Sequence, residues 1–182
     1  MEEENKKEEY FRPKWDDYFM AIARIIATRS TCDRLRAGAV LVKDKRIIST
    51  GYNGAPPGLP HCDGPEGHLM EEGHCIRTIH SEHNTILQAA LIPGASTDGS
   101  TLYTKSSPCM HCCKYIVAAG VKRVVLGKIY RAEQAIDYLR EAGVQVDIYD
   151  EKKDINDFFS NLFKEEIETM KPKEGDVKLR TE

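Results

Sequence analysis

Two short pieces of the chain carry residues able to do chemistry together: His80-Ser81-Glu82 and Pro108-Cys109-Met110-His111-Cys112. Cys109 and Cys112 stand three apart, so on a helical turn their side chains share a face and can grip one ion. His80 supplies a third donor. Three protein donors leave the fourth position of a tetrahedral zinc open for water, which is the pattern of a catalytic site and not of a closed structural one. Zinc brings the pKa of such a water from ~15.7 towards ~7. Glu82, two residues past His80, does not reach the same ligand position and would stand beside that water as a general acid and base. Read alone, a C-x-x-C could also be a pair of core cysteines, a redox pair or half a zinc finger, with His80 a helix-capping residue. The His-x-Glu upstream and the proline before Cys109 favour the metal.

The elements around these pieces must position them. Apolar residues at Tyr18, Phe19, Ile22, Ile25 and Ile26 predict a helix from Trp15 that buries one face. A polar segment, Thr28 to Arg36, leads to two short strands, Ala37–Val42 and Arg46–Thr50, joined by a tight turn as a hairpin. A long glycine-rich loop runs from Gly51 towards Gly73, and long structured loops in compact domains are usually functional. Helices are predicted over Ser81–Ile92, Cys109–Gly120 and Ala132–Glu141, and strands over Thr101–Thr104, Val121–Leu126 and Val144–Tyr149. Both reactive pieces therefore open a helix, where the positive end of the dipole favours thiolate over thiol. Strand–helix alternation from Thr101 onward predicts right-handed crossovers and a parallel portion of sheet. With the opening hairpin this makes an α/β fold in three layers, α/β/α, on a mixed five-stranded sheet with helices on both faces.

A chain of 182 residues, 41% hydrophobic and 30% charged, fits one ordinary globular domain. The expected organisation is a charged tail over 1–13, a domain over 14–150 and a charged extension over 151–182, where Phe158, Phe159, Leu162 and Ile167 could support a partly docked helix. A net charge of −3 with scattered basic residues argues against a grip on long nucleic acid. It leaves room for a small anion held by one or two arginines. No apolar run nears the ~18 residues of a membrane span, and the acidic, lysine-rich first nine residues resemble no leader. A cytoplasmic setting is expected, in which six clustered cysteines point to metal before disulfides.

H-x-E followed by P-C-x-x-C resembles the zinc-dependent cytidine and deoxycytidylate deaminase superfamily. The narrower resemblance is to deoxycytidylate (dCMP) deaminases and covers roughly Trp15 to Asp150. It rests on Arg29-Ser30-Thr31-Cys32, on Gly38-Ala39-Val40, on Gly51-Tyr52-Asn53-Gly54-Ala55-Pro56-Pro57-Gly58-Leu59-Pro60-His61-Cys62-Asp63, on Cys75 through Glu82, and on Ala119 through Val125. The resemblance implies a cytidine-deaminase-like fold and hydrolysis of dCMP to dUMP and ammonia, supplying dUMP for thymidylate synthesis. Glu82 would carry protons to the ring N3 and to the departing ammonia, with zinc on His80, Cys109 and Cys112. Asn53 is implied at the deoxyribose, Arg29 at the 5′-phosphate, and Ser107 as a further substrate contact. Gly51, Tyr52 and Gly54 are implied in an effector loop. dCTP as activator, dTTP as inhibitor, Mg2+ with those triphosphates, and a homohexamer are implied likewise. Two departures from the commonest pattern, Ser81 and His83 beside Glu82 and Lys105-Ser106-Ser107 before Pro108, bear on substrate preference more than on reaction type.

Some of these relatives carry a second, structural zinc. Cys32, Cys62 and Cys75, with His61 or His74 as the fourth donor, are the candidates here, on the density of Cys and His in a glycine-rich loop. Cys113 is expected to point away from the ion into the core. Two other readings remain at this point. One is a deaminase of deoxycytidine, guanine or tRNA adenosine. The other is a zinc-stabilised binding protein without catalysis, against which the presence of Glu82 counts.

Overall fold

The computed structural model describes residues 12–129, 133–150, 156–161 and 164. The chain divides into two units, Met1–Asp150 and Glu151–Glu182. In the second, residues 156–161 are helical and Phe158 meets Phe159 edge to face. Leu162 and Ile167 lie outside the described residues, as does Ala132. No described helix is long and apolar enough to cross a membrane.

The first unit is built from α1 (Trp15–Ala27), β1 (Gly38–Lys43), β2 (Arg46–Tyr52), β3 (Met70–Glu71), β4 (His74–Cys75), α2 (Ser81–Ala90), β5 (Thr101–Ser106), α3 (Met110–Ala118), β6 (Arg123–Lys128), α4 (Glu133–Glu141) and β7 (Gln145–Ile148). Five strands form one sheet in the order β2-β1-β5-β6-β7. β1 is antiparallel to both neighbours, whereas β5, β6 and β7 run parallel. The sheet is thus mixed. Asp44 and Lys45 both take positive φ, so β1 and β2 are joined by a two-residue turn whose twist suits a hairpin.

Strand alternation divides the apolar residues between two cores. Ala39, Leu41, Leu102 and Val124 face one side, where they meet Ala89 of α2, Ile116 of α3 and Leu139 of α4. Val40, Val42, Tyr103 and Val125 face the other and meet Phe19, Met20 and Ala23 of α1. Because both faces are covered, β1 reads as a continuous apolar run.

The buried stripe of α1 differs from the expected one. Phe19, Met20, Ala23 and Ala27 are buried, while Ile25 is 50% exposed and Tyr18 42% exposed. The cause is a close approach. A Cβ on Gly38 would lie 2.4 Å from the Ala23 carbonyl oxygen and from the Ala27 nitrogen, so the centre of this face needs small residues; Ile22 and Ile26 pack at its margin and Ile25 turns outward. Arg123, opening β6, pins the same helix. Its guanidinium donates to both carboxylate oxygens of Asp16 at 2.9 and 2.8 Å and to Asp147 of β7 at 2.6 Å.

The small β3–β4 hairpin was not expected. It pairs Met70 with Cys75 and Glu71 with His74 inside the glycine-rich loop.

Candidate active site and metal centres

The reactive residues gather at the C-terminal end of β5, the edge at which open α/β sheets bind ligands. After Ser106 the chain turns, held by the Ser107 N–H donating to the Lys128 carbonyl of β6 at 2.8 Å, and Pro108 leads into α3. Cys109 is the N-cap of α3 and His80 the N-cap of α2, both with extended backbone and neither making a side-chain capping hydrogen bond. Their side chains are free to turn towards each other.

His80 Nδ1 lies 3.5 Å from Cys109 Sγ and 3.6 Å from Cys112 Sγ. One imidazole and one thiolate on a tetrahedral zinc, at bond lengths near 2.05 and 2.3 Å, would stand about 3.55 Å apart. The donor triangle therefore fits zinc. His80 is exposed, Cys109 half-buried and Cys112 buried, so the triangle opens to solvent on the histidine side. A hydrogen bond from Cys112 and a further one from His80 outweigh burial and hold the Cys109 thiol down to about 3. The same hydrogen bond with Cys109 lifts His80 above its ordinary range.

Glu82 is 5% exposed. Burial raises its pKa above the usual carboxylate range, against the pull of its own backbone N–H, His80 and Thr104. Two hydroxyls hold it. Ser81 Oγ stands 3.2 Å from Oε2 and Thr104 Oγ1 3.2 Å from Oε1. Thr104 also reaches the Ser106 carbonyl at 2.9 Å, and having one proton it donates to one acceptor at a time. Sequence reasoning missed Thr104. Nothing in the run Thr101-Leu102-Tyr103-Thr104-Lys105-Ser106 singles it out.

Asn53 lies just past β2 and is 6% exposed. Its Oδ1 accepts from the Ser81 N–H at 2.9 Å, and its Nδ2 donates to the Leu35 carbonyl at 3.0 Å. Since the His80 side chain does not cap α2, Asn53 satisfies that helix's first N–H in its place. One N–H and one lone pair of the amide remain for a ligand. Gly51 is a packing position: a Cβ there would stand 2.4 Å from the Thr85 nitrogen, so glycine lets β2 seat against α2. Gly54 packs against the Tyr52 ring. Arg29 is exposed beyond the end of α1, and Ser107 is buried in the turn before Pro108. His83 stacks on Tyr115 with centroids 4.0 Å apart. Cys113 is fully buried, with Sγ donating to the Ala135 carbonyl at 3.4 Å.

A second group of donors brings together Cys32, Cys62, Cys75 and His68. The expected fourth donors, His61 and His74, are not in it, and strand parity explains the difference. His74 is adjacent to Cys75 in β4 and so projects from the opposite face of the hairpin. Cys75 pairs with Met70, and His68, two residues earlier, lies on the Met70 side. His61 is exposed, its carbonyl accepting from Gly64 N–H in a turn. Cys62 and Cys75 Sγ atoms are 3.6 Å apart, near the ~3.75 Å of two thiolates on one tetrahedral zinc. Burial and the neighbouring thiols push Cys62 up to about 12. Burial also raises Cys75, but the Arg77 N–H, His68 and Cys62 outweigh it and bring it to about 7. Crowded thiols of this kind favour full ionisation only around a cation.

A family profile described as the cytidine and deoxycytidylate deaminase zinc-binding region matches residues 13–128, which include both donor groups and Glu82. The chain belongs to this family. Among its relatives, ComE operon protein 2 of Bacillus subtilis (strain 168) is 46% identical over 137 residues, 75% of this chain and 71% of that protein. Deoxycytidylate deaminase of Mycobacterium phage D29 is 38% identical over 128 residues, 64% of this chain and 97% of that protein. Among solved structures, dCMP deaminase from the cyanophage S-TIM5, in complex with dCMP and dUMP, superposes with a TM-score of 0.68 at 32% identity. That match covers 77% of this chain and all of the phage enzyme.

Proposed function

We propose that the chain hydrolyses the 4-amino group of dCMP, giving dUMP and ammonia, with Glu82 as the proton carrier. The observation that carries this reading is a buried carboxylate beside a His80, Cys109 and Cys112 triangle whose spacing fits zinc. Zinc held by His80, Cys109 and Cys112 would supply a Lewis acid that acidifies the attacking water. Glu82 accepts a proton from that water and delivers it to ring N3 as C4 is attacked. It then takes the remaining hydroxyl proton and passes it to the leaving nitrogen, which departs as ammonia. The carboxylate ends as it began, and the ring keeps the N3 proton of uracil. Ser81 and Thr104 hold Glu82 through both transfers.

Asn53 is assigned to the deoxyribose through its remaining N–H and lone pair, and Ser107 to the substrate at the turn before Cys109. Exposed Arg29 is assigned to the 5′-phosphate, for which a guanidinium offers a bidentate fork. Cys32, Cys62, His68 and Cys75 are assigned to a second zinc, closed by four protein donors and therefore structural. A cytoplasmic setting suits six cysteines none of which is paired. On the family resemblance, dCTP activation, dTTP inhibition, Mg2+ with those effectors and a homohexamer belong to the same proposal, with Gly51, Tyr52 and Gly54 near the effector.

The test is ultraviolet-monitored turnover of dCMP, deoxycytidine and CMP by zinc-replete protein, with and without dCTP and Mg2+. Preference for dCMP over both others supports the phosphate and deoxyribose contacts together. Turnover of deoxycytidine alone would remove the phosphate role of Arg29. No turnover of any cytosine compound by protein holding its zinc would overturn the reading.

A further inference from the structure

The loop donors need one of their four members oriented more than the others. A neutral imidazole carries its single proton on either nitrogen, and only the bare nitrogen can bind a metal. One ring nitrogen of His68 lies within 4.8 Å of the three Sγ atoms, and Nδ1 is the one left available for them. It is buried and has no hydrogen-bond partner among the described residues. Its other nitrogen, Nε2, lies 2.8 Å from Asp33 Oδ1. A carboxylate on Nε2 accepts its proton, leaves Nδ1 bare, and aims the Nδ1 lone pair at the thiols.

We propose that Asp33 is the positioning residue of the loop metal site, holding His68 in the tautomer and ring orientation that let Nδ1 bind the ion. This rests on the reading of Cys32, Cys62, His68 and Cys75 as a second zinc site. Asp33 is 79% exposed, so packing does not explain its place. Its neighbours act on the same loop. Cys32 is itself a donor, and Arg34 Nη2 donates to the Gly73 carbonyl at 3.0 Å while Nη1 approaches Met70 Sδ at 3.7 Å. Three consecutive residues thus take hold of the loop in three ways: one through the ion, one through the histidine ring, and one through the turn of the β3–β4 hairpin.

The experiment is zinc content and chelator-driven zinc release, followed with a chromogenic chelator, for the full chain and for Asp33→Ala, Asp33→Asn, His68→Ala and the Asp33→Ala/His68→Ala pair. Unaltered protein is expected to hold two zinc ions per chain and to release them in two phases. Asp33→Ala is expected to speed the loop phase roughly 10- to 100-fold, the usual cost of losing an outer carboxylate, and to leave the catalytic phase as it was. Asp33→Asn keeps an oxygen that can accept from Nε2 and is expected to fall between the two. Adding Asp33→Ala to His68→Ala should produce no further acceleration, an outcome that a general structural role for Asp33 would not give. Two ions with an unchanged loop phase in Asp33→Ala would overturn the assignment of Asp33 while leaving the second zinc standing. A single ion in the unaltered protein would overturn the second-zinc reading, and the assignment of Asp33 with it.

Discussion

Replacing Glu82 with glutamine separates the proton carrier from everything else the site does. The amide has the shape of the carboxylate, and the two hydroxyls that now face it, Ser81 Oγ and Thr104 Oγ1, each 3.2 Å away, can rotate to accept from an amide as readily as donate to a carboxylate. No metal donor is altered. Zinc content should therefore be unchanged and the melting temperature within a few degrees. Proton transfer by a positioned side chain contributes about 10²- to 10⁴-fold, or roughly 2.7–5.4 kcal/mol of barrier at 1.36 kcal/mol per tenfold. One carboxylate serves both transfers here, so kcat for Glu82→Gln should fall towards the larger figure, with KM changed only a few-fold. Glu82→Asp offers the complementary case, since it keeps the acid but withdraws it from both hydroxyls, and a misplacement of about 1 Å can cost on the order of 10²-fold. The assay is loss of cytosine absorbance at saturating dCMP, with zinc measured on the same sample. A fully metallated, normally melting Glu82→Gln protein that kept more than a tenth of its turnover would refute the assignment.

Thr104→Val removes a hydroxyl from a fully buried position at nearly constant volume. Because that hydroxyl favours the charged form of Glu82, its loss should raise the Glu82 pKa further and move the acid limb of the kcat/KM profile to higher pH, with a several-fold loss below that limb. Cys113→Ala should leave zinc content unchanged while lowering the melting temperature by a few degrees for about 1 kcal/mol of lost packing, whereas Cys112→Ala should abolish catalytic zinc, as metal analysis of the two purified proteins will show. Gly38→Ala should destabilise the fold by about 1–3 kcal/mol through the 2.4 Å approach to α1, read as a lowered midpoint in urea, without altering the metal count.

The meeting of His80, Cys109 and Cys112 was legible because its signals are local. His80-Ser81-Glu82 and Pro108-Cys109 each announce a helix start, and only the meeting of two starts had to be supplied by the fold. The sheet was legible for a related reason: β-branched runs separated by helix-length segments admit few connections. The face of α1 was legible only in part. Phe19, Ile22 and Ile26 do meet the core, but only the backbone of Gly38, eleven residues past the helix end, decides that Ala23 and Ala27 form the centre of that face while Tyr18 and Ile25 lie outside it. The loop histidine failed differently. His61, His68 and His74 are equivalent by composition; parity in the β3–β4 hairpin turns His74 away, and an exposed turn leaves His61 outside the group. That hairpin has no apolar signature to betray it, because Met70, Glu71 and His74 are exposed and Cys75 only half-buried. Asp33 was invisible for the same reason, as nothing in a lone surface aspartate tells which ring it will touch.

The order of donors along the chain has a consequence for assembly. His80 and Cys112 are separated by 32 residues, and β5 lies between them in sequence and runs between β1 and β6 in space. The triangle therefore closes only when β5 has taken its place in the sheet, so catalytic zinc cannot act as an early template for the chain. An ion on this triangle would bind as a late seal, with an affinity that reads the integrity of the central strands. Three of the four loop donors, by contrast, lie between Cys62 and Cys75, whose sequence separation is 13, a short closure that an ion could draw together before any strand has paired. Two sites built from the same donor types would then sense opposite ends of the folding process: one a local knot available to a nascent chain, the other a certificate that the whole sheet is in register.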